Sequence, residues 1–67
     1  MEITLMAARV NAGLDRKTAA NKLGITAETL GNWEAGNTFP NVPQIIKIEN
    51  LYGVRYADIK FLPNSSV

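Results

Sequence analysis

The sequence predicts an all-α domain of five short helices around one core. Three observations carry this reading. Glycines at 13, 24, 36 and 53 each close a stretch that reads as helix, and glycine is common just past a helix end. The next stretch can in most cases be given a polar starter, as at Asp15, Thr26 and Asn41. Strand signals are absent.

The first helix is expected from about Thr4 to Ala12, with Leu5 and Ala8 inward, Gly13 as its stop and Leu14 tucked back into the core. Asp15 is a good N-cap, because its carboxylate accepts from free amides of the following turn. The second helix then runs from about Arg16 to Leu23, with Ala19, Ala20 and Leu23 on one face, and Gly24 ends it. Ile25 is apolar in a turn and is expected to be buried. Thr26 caps a third helix to about Glu34, whose inner face carries Leu30 and Trp33. Glu28 in its first turn suits the positive end of the helix dipole. Ala35-Gly36 stop it, and the loop Asn37-Thr38-Phe39-Pro40 follows. Asn41 and Gln44 form a capping-box pattern, with Pro43 tolerated in the first turn. The fourth helix reaches about Tyr52, with Val42, Ile45, Ile48 and either Leu51 or Tyr52 inward. A fifth, from about Tyr56 to Leu62, would bury Val54, Tyr56 and Ile59. The expected division is a domain over 1–62 and a flexible tail over 63–67.

Composition narrows the function. A chain of 67 residues is one domain. At that size folding buries only roughly 60% of the unfolded chain's surface, so stability must come from tight helix packing or from a dimer. There is no cysteine and no histidine. Disulfides, a zinc site of the usual kind, and Ser-His-Asp or Cys-His nucleophiles are therefore excluded. The carboxylates Glu2, Asp15, Glu28, Glu34, Glu49 and Asp58 are scattered, and none lies beside a phosphate-binding glycine loop. No enzyme activity, metal, cofactor or small-molecule ligand is expected. No apolar run approaches the ~20 residues of a membrane span. Met1-Glu2-Ile3-Thr4 carries an acid where a secretory signal carries bases, so a soluble, cytoplasmic protein is expected. A net charge of +1 permits a nucleic-acid partner without requiring one.

One spacing stands out. Ala20 precedes Gly24 by four residues, Leu23 and Ile25 flank that glycine, and Leu30 and Trp33 follow. Two helices crossing near a right angle over a tight turn would use each of these. Ala20 is small where the third helix crosses, Gly24 takes a backbone conformation other residues adopt at a cost, and the rest pack the third helix down. The opposite face of that helix stays exposed, at a width suited to the DNA major groove.

With Arg9, Gly13-Leu14, Ala20, Leu23-Gly24-Ile25-Thr26, Leu30, Trp33-Glu34-Ala35-Gly36, Pro40 and Leu51-Tyr52-Gly53-Val54, the chain resembles the Cro/repressor-type (XRE-type) helix-turn-helix family of phage repressors and small bacterial regulators. The resemblance covers about residues 3 to 62. It implies a lambda-repressor-like fold with the helix-turn-helix in helices 2 and 3. The third helix would read bases through Ala27, Glu28 and Asn32, and Arg16, Lys17, Thr26 and Thr29 would lie near the DNA backbone. Arg16 stands where the family usually has a glutamine that touches phosphate or the outermost base. Arg9 and Glu34 look like the pair that ties the first helix to the third, a structural role shared with Ala20, Gly24 and Trp33.

Each assignment has a plainer counterpart. Trp33 stacks on a base in one reading, but its spacing from Leu30 favours the core. Glu28 serves either as a dipole-stabilising acid or as an acceptor for a cytosine amino group. Asn32 is either a solvated polar residue or a bidentate partner for adenine. Lys17 and Lys22 are surface charges that lie near phosphate if the docking face is right.

The chain also departs from the family. Ala27 leaves at most an apolar contact with a thymine methyl, Ala35 replaces a usual asparagine, and the loop from Gly36 to Val42 has no base. Gly31 costs the third helix up to ~1 kcal/mol in propensity, or else permits close approach to DNA. Between residues 9 and 47, five bases (Arg9, Arg16, Lys17, Lys22, Lys47) face three acids (Asp15, Glu28, Glu34), a thin excess of +2. Dimerisation through Tyr52, Tyr56, Phe61 and Leu62 would double the contacts on a roughly palindromic operator, unless those residues only finish the core. The sequence therefore reads as a sequence-specific, double-stranded-DNA-binding transcriptional regulator of bacterial or phage type, working as a homodimer. A protein-interaction module (antirepressor, antitoxin-like partner or adaptor) is the alternative, and an architectural DNA binder in phage excision is a third.

Overall fold

The computed structural model describes residues 2–61. In chain order they form a strand β1 (Ile3–Thr4) and helices α1 (Leu5–Asn11), α2 (Arg16–Leu23), α3 (Ala27–Ala35) and α4 (Val42–Tyr52). A single 3-10 turn (Tyr56–Asp58) and a strand β2 (Ile59–Lys60) complete the order.

Each helix begins on a side chain that supplies an acceptor for an otherwise unbonded amide. Thr4 accepts from Ala7, Asp15 from Thr18 at 2.7 Å, and Thr26 from Thr29 at 3.0 Å. Asn41 and Gln44 cap reciprocally: Asn41 Oδ1 accepts from the Gln44 amide, and Gln44 Oε1 accepts from the Asn41 amide.

One core collects the inner faces of all four helices. It holds Leu5 and Ala8 of α1, Ala19, Ala20 and Leu23 of α2, Leu30 and Trp33 of α3, Ile48 and Tyr52 of α4, and Ile59 of β2. Leu14, Ile25, Leu51 and Val54 pack on its margin, partly buried.

The expected fifth helix is not formed. Among the described residues beyond Gly53 the one helical element is the 3-10 turn, whose opening amide at Tyr56 donates to Glu49 Oε2 of α4 at 2.7 Å. The chain then extends, and β2 pairs in parallel with β1, Ile3 opposite Ile59 and Thr4 opposite Lys60. The β-branched Ile59 buries its side chain from the strand, and its backbone bonds to the start of the chain instead of to a further helical turn. A parallel pair needs a long crossover, and here all four helices supply it.

Two inward assignments are also corrected. Val42 is 68% exposed, because the buried residues of α4 are Ile48 and Tyr52 in its later turns, with Leu51 on the core margin, and the helix start lies outside the core. Tyr56 is 52% exposed, since the 3-10 turn has no helical face to turn inward. Leu62 and the tail over 63–67 lie outside the described residues.

Candidate nucleic-acid interface

Where α2 meets α3 the chain reverses within three residues. Gly24 takes φ 75° and ψ 28°, a left-handed conformation that a Cβ would strain. That conformation lets the Ile25 amide donate back to Ala20 O at 2.9 Å and the Gly24 amide to Asn21 O at 3.2 Å. These two bonds close α2 as a Schellman motif, and the partly buried Ile25 packs against the core beside it. Ala20 itself is buried against the crossing helix. Thr26 then starts α3 at once.

The expected base-reading residues lie on the outer side of α3. Ala27 and Glu28 are exposed in its first turn, and Asn32, one turn beyond Glu28, is half-buried. Trp33 is 3% exposed, which puts its ring in the core and removes it as a stacking platform. The Thr26 hydroxyl accepts from the Thr29 amide and donates to Thr29 Oγ1 at 2.9 Å, so the two threonines first of all lock the helix start. Lys17 and Lys22 are exposed on α2.

An open cleft between the two helices is lined by Lys17, Thr18, Ala20, Asn21, Ile25 and Ala27. It brings Lys17 and Ala27 together and adds Thr18 and Asn21, which the sequence reading did not single out. Their signal was available: they stand one and four residues after Lys17, away from the Ala19–Ala20–Leu23 face. Glu28 is not among the residues that line this cleft.

Behind the surface, Arg9 of α1 clamps Glu34 of α3. Its Nε donates to Oε2 at 2.7 Å and its Nη2 to Oε1 at 3.4 Å, while Nη1 donates to Leu14 O at 2.9 Å. Both side chains are withdrawn from water, and the bond to Glu34 raises the Arg9 pKa above its usual value. Arg16 approaches the same carboxylate from outside, its Nε 3.9 Å from Oε1. Its side chain remains 54% exposed.

Two helices crossing on a glycine turn, the second with its polar side outward, define a helix-turn-helix protein. A family model described as a helix-turn-helix matches residues 5–59, and the chain belongs to that family, the Cro/repressor or XRE type, whose members are DNA-binding regulators. No curated protein and no solved structure matches the chain. Among the described residues there is no cluster of metal-ligating side chains, and no helix is long and apolar enough to cross a membrane.

Proposed function

We propose that the protein is a sequence-specific regulator that binds double-stranded DNA by placing α3 in the major groove. The observation that carries this is the outer side of α3, exposed at Ala27 and Glu28 and anchored from behind by Trp33 and the Arg9–Glu34 pair. In this reading Glu28 and Asn32 address base edges and Ala27 meets a thymine methyl. Lys17, Thr26 and Thr29 belong to the backbone-facing margin, and Arg16, expected there from the resemblance, sits closer to α3. The role is that of a Cro-like or repressor-like factor of bacterial or phage origin, acting in the cytoplasm without enzymatic activity, cofactor or small-molecule ligand.

The thin charge excess favours a homodimer on a roughly palindromic operator, since two subunits double the neutralised phosphates. Tyr52 cannot serve the interface, being buried. A groove of Phe39, Pro40, Ile45, Tyr56 and Phe61 supports the C-terminal region in that role, with Phe39 and Tyr56 more than half exposed.

Selection from a random duplex pool at about 100 mM salt, with nonspecific competitor present, tests the proposal at an ionic strength where a few phosphate contacts alone bind weakly. A short, roughly palindromic enriched motif is expected. If folded protein enriches nothing, DNA reading is overturned, and the same apolar groove becomes the starting point for a protein-partner function.

A further inference from the structure

Helix α3 contains no lysine or arginine, yet a guanidinium lies on it. A Cβ built on Gly31 would stand 3.2 Å from Arg16 Nη1 and 3.8 Å from both Arg16 Cδ and Cζ. The Arg16 side chain, starting from the first residue of α2, thus reaches across to α3 and occupies the space where a side chain at 31 would begin. Position 31 shares its side of α3 with Ala27 and Glu28, four and three residues earlier, both exposed. Glu34 steadies the crossing side chain from its Nε side at 3.9 Å, and Glu34 is itself fixed by Arg9. Among the described residues the Arg16 guanidinium forms no hydrogen bond, so its donors remain available.

Resting on the DNA-binding reading above, we propose that Gly31 is a specificity-determining position: lacking a side chain, it lets the Arg16 guanidinium lie on the outer side of α3 and read a guanine in the major groove. Two features support a base over a phosphate. The guanidinium is drawn onto the reading helix, away from the start of α2. Its planar fork also matches O6 and N7 of guanine bidentately, the commonest specific major-groove contact. Gly31 is accordingly a positioning residue. It touches no base in this scheme and acts through Arg16.

The test compares the parent, Arg16→Lys, Gly31→Gln and the double variant by duplex selection and by salt-dependent binding to the selected site. Gln is a better helix former than Gly, so Gly31→Gln folds, which circular dichroism checks. The parent is expected to favour guanine at one position of each half-site by about 5- to 150-fold, the range of one bidentate contact. Arg16→Lys and Gly31→Gln should each erase that preference at that position alone. The double variant should be no worse than either single one, because both remove the same contact. Arg16→Lys keeps its charge and should keep the salt slope. The proposal is overturned if Gly31→Gln leaves the guanine preference intact, or if Arg16→Lys binds with unchanged selectivity, as a phosphate contact would. A parent that enriches no motif overturns the DNA-binding reading and this proposal together, and is thereby distinguished from a failure of the proposal alone.

Discussion

Arg9 Nε and Glu34 Oε2 meet at 2.7 Å between the first and third helices, with both side chains almost closed to water. The pair sets how α3 sits on α1, and therefore how far its outer side projects. A buried ion pair of this kind adds little net stability when intact, because desolvation offsets the attraction. Its removal on one side is another matter.

Glu34→Gln or Arg9→Met should each destabilise the fold by about 3–5 kcal/mol, since a buried charge is left without its partner. A domain this small has little reserve beyond that, at about 0.05–0.15 kcal/mol per residue. The double variant Arg9→Met/Glu34→Leu should recover most of the loss. Urea titration followed by circular dichroism measures all three. Single losses below about 1 kcal/mol, the range of a solvent-exposed pair, would contradict burial as the controlling factor.

Tyr52 supplies a second prediction. Its hydroxyl is buried and finds no hydrogen-bond partner among the described residues. Burial, reinforced by the nearby Glu34 carboxylate and opposed by Arg9, pushes its pKa up to about 12. Ionisation is thus easier in the unfolded chain, where a tyrosine titrates near about 10. Stability should hold below pH ~10 and fall as pH rises from there toward the folded value. Tyr52→Phe should remove that alkaline loss. At pH 7 the variant should be unchanged or stabilised by up to about 1–3 kcal/mol, the cost of an unpaired buried polar group. A clear destabilisation of Tyr52→Phe at neutral pH would mean the hydroxyl is bonded after all.

At the acid end the informative residue is Asp15. The Thr18 amide, then the Thr18 side chain, hold its carboxyl below the usual range. Its contribution is present above the unfolded carboxyl pKa and is lost as pH falls through the lowered folded value. Asn caps as well as Asp but does not titrate. Asp15→Asn should leave the midpoint at pH 7 nearly unchanged and flatten its decline below pH 4, as thermal melts across that range would record. An undiminished acid decline would assign it to other carboxylates.

For the homodimer, Phe39 and Tyr56 are the residues to change. Phe39 and Phe61 meet edge to face with centroids 6.1 Å apart, and Tyr56 lies 6.0 Å from Phe61. Both outer rings are mostly in water, so Phe39→Asp and Tyr56→Asp should leave folding intact while abolishing self-association. Sedimentation velocity at tens of micromolar should show a dimeric parent and monomeric variants. A monomeric parent would set this surface aside as a dimer contact.

Charge at the DNA backbone can be tested in the same protein. Lys17→Ala should weaken binding to all duplexes alike and reduce the salt slope by about 0.9 for each bound subunit, or about 1.8 for a dimer, the value for one neutralised phosphate per subunit. Titration at several salt concentrations measures it. An unchanged slope would take Lys17 out of the interface.

Much of this architecture is legible from local signals. Asp15, Thr26 and Asn41 name helix starts because each caps an amide only three residues ahead. Gly24 names the turn because its left-handed backbone closes bonds spanning three and five residues. Ala20, Leu30 and Trp33 declare the core through helical spacing. Such interactions are short in sequence, and the residue types that make them are few. Val42 and Tyr56 misled because an apolar side chain shows hydrophobicity but not whether its element reaches the core.

By itself, then, the sequence determined four helices, the caps at Asp15, Thr26 and Asn41, the turn between α2 and α3, and the family. Only the tertiary structure decided that Ile59–Lys60 form a parallel strand pair with Ile3–Thr4 in place of a fifth helix, because two-residue strands carry no periodicity and the two segments lie more than fifty residues apart in sequence. It also decided that Arg16 lies over Gly31. A long flexible side chain and an absent one carry no mutual signal along the chain, and only the crossing of two helices brings them together.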